Sequence, residues 1–318
     1  MVVLITGAAG FIGSHLVDRY LHDGAAVIGV DNFITGTGAN LARARENDRF
    51  RFIEADVASP WDALIDDVER RGSSPNLILH FASPASPIDY FEFPVPTMMA
   101  NSAGTHRCLD AAQHWNCRLL YASTSESYGD PLVHPQREDY WGNVNPVGPR
   151  ACYDESKRFG EALTMTYVRS AGADARIIRI FNTYGPRMRP KDGRVVSTFI
   201  MQALHGEPLT IYGDGSQTRS FCYVDDLVEG IVRCAASEAT RGRVVNLGNP
   251  EEYTIAQLAQ IVSEILGVPL HVENRPTRED DPARRKPDIG VARELLGWEP
   301  KISCDDGLRR TIEYFRAG

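Results

Sequence analysis

Three glycines in the run Thr6-Gly-Ala-Ala-Gly-Phe-Ile-Gly13 are spaced to wrap backbone around a pyrophosphate. Gly7 permits a tight turn, Gly10 leaves the backbone bare for a phosphate, and Gly13 lets a following helix lie against the preceding strand. That helix would present unpaired N–H groups and a partial positive charge to the anion. Asp31 follows Gly13 by 18 residues, at the end of the next apolar run. A carboxylate there accepts from the hydroxyls of an adenosine ribose and repels a 2′-phosphate, so the pattern points to NAD rather than NADP. The competing reading is a glycine-rich turn with no ligand; the strand before it and the acid after it argue against that. Asp56-Val57 ends a third apolar run, where Asp56 suits an adenine contact and a helix N-cap equally well.

Tyr153 and Lys157 stand four apart and share one face of a helix. A tyrosine with a pKa near ~10 is a poor base at neutral pH. A neighbouring ammonium, together with a cationic nicotinamide, lowers that value. A phenolate could then take a hydroxyl proton while hydride leaves the same carbon. Alone, the pair reads equally as a surface contact; after an NAD turn it reads as the centre of an oxidation. Ser123-Thr-Ser-Glu126 directly follows the apolar run Arg118–Ala122. Ligands of open α/β sheets lie beyond the carboxyl ends of strands. Thr124 can hold a substrate hydroxyl beside Tyr153, and Glu126 can act as acid, base or anchor for a water. The same four residues also fit a helix-capping cluster. Arg219 follows a glycine-rich turn, and Arg284-Arg285-Lys286 is the densest basic run of the second half. Guanidinium groups there suit phosphate or carboxylate, and solvated surface charge is the alternative.

These groups need a scaffold, and the chain supplies one. Val2–Ile5, Ala26–Val30, Arg51–Ala55, Leu77–Phe81, Arg118–Ala122 and Arg176–Phe181 read as strands. Gly13–His22, Thr97–His114 and Tyr153–Ser170 read as helices between them. This alternation predicts an α/β fold with a doubly wound, Rossmann-like parallel sheet. Residues 1–182 form the expected NAD-binding domain. Residues 183–318 form a smaller, irregular, mainly substrate-binding lobe, with 225–250 returning to the first domain. Prolines 186, 190, 269, 276, 282, 287 and 300 mark the change of rhythm.

Composition is that of a globular protein: 318 residues, 43% hydrophobic and 24% charged. A net charge of −8 argues against broad attraction to nucleic acid or anionic lipid. No apolar stretch reaches the ~20 residues of a membrane span. The chain enters a strand at once, with no signal-peptide pattern, so a cytoplasmic location is expected. The six cysteines form no Cys-x-x-Cys pair and are expected as free buried thiols. Neither Cys nor His clusters at ligand spacing, so no metal is expected.

Longer stretches are more specific than the glycine triplet. They are His80-Phe-Ala-Ser-Pro-Ala-Ser-Pro87, Ser123-Thr-Ser-Glu-Ser-Tyr-Gly-Asp-Pro-Leu-Val-His-Pro135, Asn145-Pro-Val-Gly-Pro-Arg-Ala-Cys-Tyr153, Phe181-Asn-Thr-Tyr-Gly-Pro-Arg-Met188, Asp192-Gly-Arg-Val-Val-Ser197, Gly215-Ser-Gln-Thr-Arg-Ser220 and Glu279-Asp-Asp-Pro-Ala-Arg-Arg-Lys-Pro-Asp288. Over nearly its whole length the chain resembles the extended short-chain dehydrogenase/reductase family that works on nucleotide sugars, and within it the branch that decarboxylates UDP-glucuronate. The resemblance implies catalytic roles for Thr124, Glu126, Tyr153, Lys157 and Arg285. It implies an NAD site lined by Phe11, Ile12, Asp31, Asn32, Asp56, Val57, Phe81, Ser83, Ala122, Thr183 and Arg194, besides the glycine turn and the Tyr–Lys pair. It implies a nucleotide-diphosphate site of Asn182, Val196, Ser197, Tyr212 and Arg219, with Ser125 on the substrate side. Arg285 is the expected partner of a substrate carboxylate. The implied reaction oxidises C4 of UDP-glucuronate, loses CO₂ from the 4-ketone, protonates C5 with help from Glu126 through water, and reduces C4 again to give UDP-xylose. A 4,6-dehydratase would generally carry an Asp at position 125, where this chain has Ser. A 4-epimerase is a further alternative, and a non-catalytic NAD-binding regulator a remote one. A homodimer is expected through helices such as Thr97–His114 and Tyr153–Ser170. Pro96 and Met99 depart from the resemblance, standing where lysines are expected.

Overall fold

The computed structural model describes residues 1–277, 282 and 284–317. Of the Glu279–Asp288 motif, residues 279–281 and 283 lie outside the described residues. The strands are β1 (Val2–Thr6), β2 (Ala26–Asp31), β3 (Phe50–Glu54), β4 (Leu77–His80), β5 (Arg118–Thr124) and β6 (Ala175–Ile180). Helices α1 (Phe11–His22), α2 (Asp62–Arg70), α3 (Pro87–Glu92), α4 (Pro94–Met99), α5 (Thr105–His114) and α6 (Ala151–Ala171) lie between them. With the later strand Val244–Leu247 they form a seven-stranded sheet, ordered Val244–Leu247, β6, β5, β4, β1, β2, β3. Every pairing in it is parallel.

The near-continuous apolar character of β1, β4 and β5 follows from burial on both faces. One core layer holds Leu16, Val17 and Tyr20 of α1 with Leu227 and Ile231 of the helix Val224–Ala236. The opposite layer holds Leu64 and Val68 of α2 with Cys108 and Leu109 of α5. Strand order reverses between β1 and β4, and this opens a crevice at their carboxyl ends.

Two local expectations change. The span Thr97–His114 is not one regular helix: Pro94–Met99 and Thr105–His114 flank a wide π-type turn at Ala100–Gly104. The turn contains Asn101, whose side chain donates to the hydroxyls of Ser83 and Ser156 at 3.0 Å each. Such turns often mark functional sites. The second half is also more regular than its prolines suggest, with helices at Val195–Leu204, Val224–Ala236, Ile255–Leu266 and Cys304–Ala317. Thr254 and Gln257 form a capping box that starts Ile255–Leu266. Pro269, Pro276 and Pro300 fall in the loops between elements. A three-stranded sheet sets Thr218–Ser220 between Glu252–Thr254 and Arg284–Arg285, with Arg285 in register beside Arg219. All six cysteines are free.

Candidate active site

A cavity of about 830 Å³ occupies the crevice and continues under the second half of the chain. Gly7, Gly10, Phe11, Ile12, Asp31, Asn32, Asp56, Val57, Phe81, Ser83, Ala122, Thr183 and Arg194 line it. So do Thr124, Ser125, Glu126, Tyr153, Lys157, Asn182, Val196, Tyr212, Arg219 and Arg285. Two expected residues stand behind the wall. Gly13 packs under the glycine turn, where a Cβ would overlap the Gly7 carbonyl. The Ser197 hydroxyl is buried and donates to Asp192 Oδ1 at 2.7 Å, so it braces the loop before its helix. Of the two departures, Pro96 lines the cavity while Met99 is 45% exposed.

The glycine turn is closely seated. Gly7 has φ +71°, and a Cβ there would lie 2.7 Å from the Phe81 carbonyl carbon. Thr6 Oγ1 accepts from the amides of Phe81 at 3.1 Å and Ala82 at 3.2 Å, which ties the end of β4 to the turn. Asp31 is fixed by two amides: Phe33 donates to Oδ1 at 2.8 Å and Ala9 to Oδ2 at 2.9 Å. Burial pushes its pKa upward against those amides. Each Asp31 oxygen keeps a second lone pair for a ribose hydroxyl. Asp56 Oδ1 accepts from the Ala58 amide at 2.8 Å, so it makes a turn and lines the cavity as well. A bare glycine cradle at a helix start, with a fixed carboxylate at the end of β2, fits the pyrophosphate and ribose of a dinucleotide.

At the other end of the crevice, α6 carries Tyr153 and Lys157. The Tyr153 ring stacks on Tyr90, with centroids 5.1 Å apart and planes 11° from parallel. Lys157 Nζ donates to the Ala122 carbonyl at 2.8 Å and lies 5.9 Å from the Tyr153 ring centroid. Burial and the Glu126 charge push the Tyr153 phenol above its ordinary value, against a hydrogen bond with Thr124. Burial likewise pushes Lys157 down to about 7. At Tyr153, burial and the Glu126 charge outweigh the Thr124 hydrogen bond and the Arg194 charge, both of which act to lower its pKa.

Glu126 sits among charges that the sequence only half revealed. Arg285 Nη1 donates to its Oε1 at 3.2 Å, and to Asn182 Oδ1 at 3.2 Å. Arg150 pairs with Oε2. These guanidinium groups hold the Glu126 carboxyl below the usual carboxylate range against the effect of burial. Asp154, hydrogen-bonded to Glu126, is displaced the opposite way by burial and by the Glu126 charge. Held ionised, Glu126 carries no proton of its own. Arg150 and Asp154 had no assigned role. A lone Arg or Asp at a helix start reads as solvated charge, yet their side chains are only 7% and 10% exposed. The signal available was their adjacency to Tyr153 in one motif.

Residues 3–248 match the model of the NAD dependent epimerase/dehydratase family. The chain belongs to that family. UDP-glucuronic acid decarboxylase 2 of Arabidopsis thaliana is 52% identical over 314 residues, covering 99% of this chain and 68% of that protein. UDP-glucuronic acid decarboxylase 1 of Danio rerio is 50% identical over 313 residues, covering 98% of this chain and 72% of that protein. Among solved family structures, the UDP-glucuronic acid 4-epimerase of Bacillus cereus, in complex with UDP-glucuronic acid and NAD, is 31% identical with a TM-score of 0.89. That match covers all of this chain and 99% of the other.

Proposed function

We propose that the protein converts UDP-glucuronate to UDP-xylose and CO₂ with a bound, recycled NAD. The observation that carries this reading is Arg285. It lines the cavity, its Nη1 is taken by Glu126 and Asn182, and its buried Nη2 has no hydrogen-bond partner among the described residues. A guanidinium edge left over in this way suits a substrate carboxylate. Arg219, in register beside Arg285, supplies a second cation for the diphosphate. Residues 1–182 with 225–250 serve as the cofactor-binding body, and the remainder mainly holds the sugar nucleotide.

When bound, NAD supplies a reversible hydride acceptor for C4. Tyr153 takes the C4 hydroxyl proton, and Thr124 holds the same oxygen. With C4 as a ketone, the C6 carboxylate is β to a carbonyl, and CO₂ leaves as its electrons flow into an enolate. Thr124 and Tyr153 donate to that oxygen in the manner of an oxyanion hole. Ser125 fits this chemistry because no hydroxyl has to be protonated for departure. Tyr153 returns its proton as the C4 alcohol re-forms.

The same reading includes a homodimer through Thr97–His114 and α6, supported by exposed Met98, Met99 and Phe159 in these spans. The test is incubation of the purified protein with UDP-glucuronate and NAD⁺, with products read by mass and NMR. Loss of one CO₂ supports the reading. Loss of water, or an isomer of unchanged mass, overturns it in favour of a dehydratase or a 4-epimerase.

A further inference from the structure

Glu126 lines the cavity, and Asp154, outside that lining, is hydrogen-bonded to it. Asp154 is buried, and the Glu126 side chain is only 15% exposed. Two carboxylates cannot share a hydrogen bond unless one carries a proton. The surroundings decide which one. Glu126 has a guanidinium on each oxygen, Arg285 on Oε1 and Arg150 on Oε2. Asp154 Oδ2 lies 4.0 Å from Arg150 Nε, Arg285 acts on Asp154 only through its charge, and Asp154 Oδ1 has no hydrogen-bond partner among the described residues. Tyr90, Cys152 and Tyr153 are the other titratable groups near it, each neutral while burial raises its pKa. The shared proton therefore resides on Asp154.

The reaction needs such a proton. Resting on the decarboxylase reading, each turnover exchanges a carbon–carboxylate bond for a carbon–hydrogen bond and consumes one proton. The C4 hydroxyl proton held by Tyr153 is returned to C4 and cannot serve C5. We propose that Asp154 is the resident store of the C5 proton and delivers it through Glu126. The Asp154 O–H bond breaks as Glu126 accepts its proton. Glu126, now carrying that proton, gives it to C5, and the enolate electron pair forms the new C–H bond. Asp154 is left ionised and regains its proton from solvent before the next turnover. Asp154 thus acts through Glu126, as a positioning and relay residue.

Asp154→Asn tests this, because the amide still donates to Glu126 but holds no transferable proton. Steady-state UDP-xylose formation should fall by on the order of 10²-fold or more. Reduction of NAD and release of CO₂ should persist in the first turnover, with a 4-keto pentose escaping as product. The wild-type kcat should fall as pH rises past the point where Asp154 loses its proton; the variant should lack that limb, and Asp154→Glu should restore part of it. An infrared difference spectrum of wild type against Asp154→Asn, without substrate, should show the carbonyl stretch of a protonated carboxylic acid at neutral pH. If Asp154→Asn does not fold, the same band in wild type labelled with ¹³C-aspartate decides. A variant with wild-type kcat and pH profile, or a wild type lacking the band, overturns the inference alone. A wild type that releases no CO₂ from UDP-glucuronate overturns the decarboxylase reading and this inference with it.

Discussion

Arg285 Nη1 lies 3.2 Å from Glu126 Oε1, although 159 residues separate the two in the chain. This contact joins the carboxyl end of β5 to the small sheet of the second half. It makes one electrostatic unit of groups that the sequence presents as two unrelated motifs.

Removing the Arg285 guanidinium should therefore do two things. Arg285→Met should lower kcat/KM for UDP-glucuronate by on the order of 30-fold, about 2 kcal/mol for a lost charge-assisted contact. It should also raise the Glu126 pKa, because the Arg285 charge is the largest of the influences that hold it down. Steady-state kinetics checks the first effect, and NMR titration of ¹³C-labelled glutamate the second. A kcat/KM within twofold of wild type would remove Arg285 from the site.

Tyr153→Phe keeps the ring stacked on Tyr90 and deletes only the oxygen. Turnover should drop by about 10²–10⁴-fold. Dinucleotide should still co-purify, as judged by its absorbance after protein denaturation. Full activity in this variant would end the proposed mechanism.

Lys157 gives a stability prediction with a defined sign. Its folded value is depressed from 10.5 to about 7 by burial. Between those limits the unfolded chain binds a proton that the folded chain does not, so stability rises with pH across that window. In cofactor-free protein, Lys157→Met should flatten this rise and gain most relative to wild type below pH about 7. Denaturant unfolding at several pH values is the measurement, and parallel curves for the two proteins would count against it.

Gly13→Ala should cost about 3 kcal/mol of stability, because the added methyl overlaps the Gly7 carbonyl and must push the turn off the helix. Dinucleotide content should fall with it, whereas Gly10→Ala, whose methyl meets only Gly7 O at 3.2 Å, should keep the fold while weakening binding. Thermal unfolding and retained NAD in the two variants distinguish the effects.

Local sequence determined much of this protein. The glycine turn, Asp31 after β2 and the Tyr153–Lys157 spacing are short-range patterns, because a strand, a turn and a helix face are each written in consecutive residues. The alternation of strands and helices gave the parallel sheet for the same reason. What remained hidden depends on distance in space. Arg150 and Asp154 look like solvated charges in the chain, and only packing against Tyr90, Glu126 and each other removes water from them. Ser197, which the resemblance places at the nucleotide diphosphate, donates its hydroxyl to Asp192, a contact that only the folded loop brings about. Burial and the Glu126 carboxylate raise the Tyr153 phenol, while Lys157 Nζ is engaged by the Ala122 carbonyl. Desolvation is a property of the folded surroundings, and no spacing of residues along a chain encodes it directly.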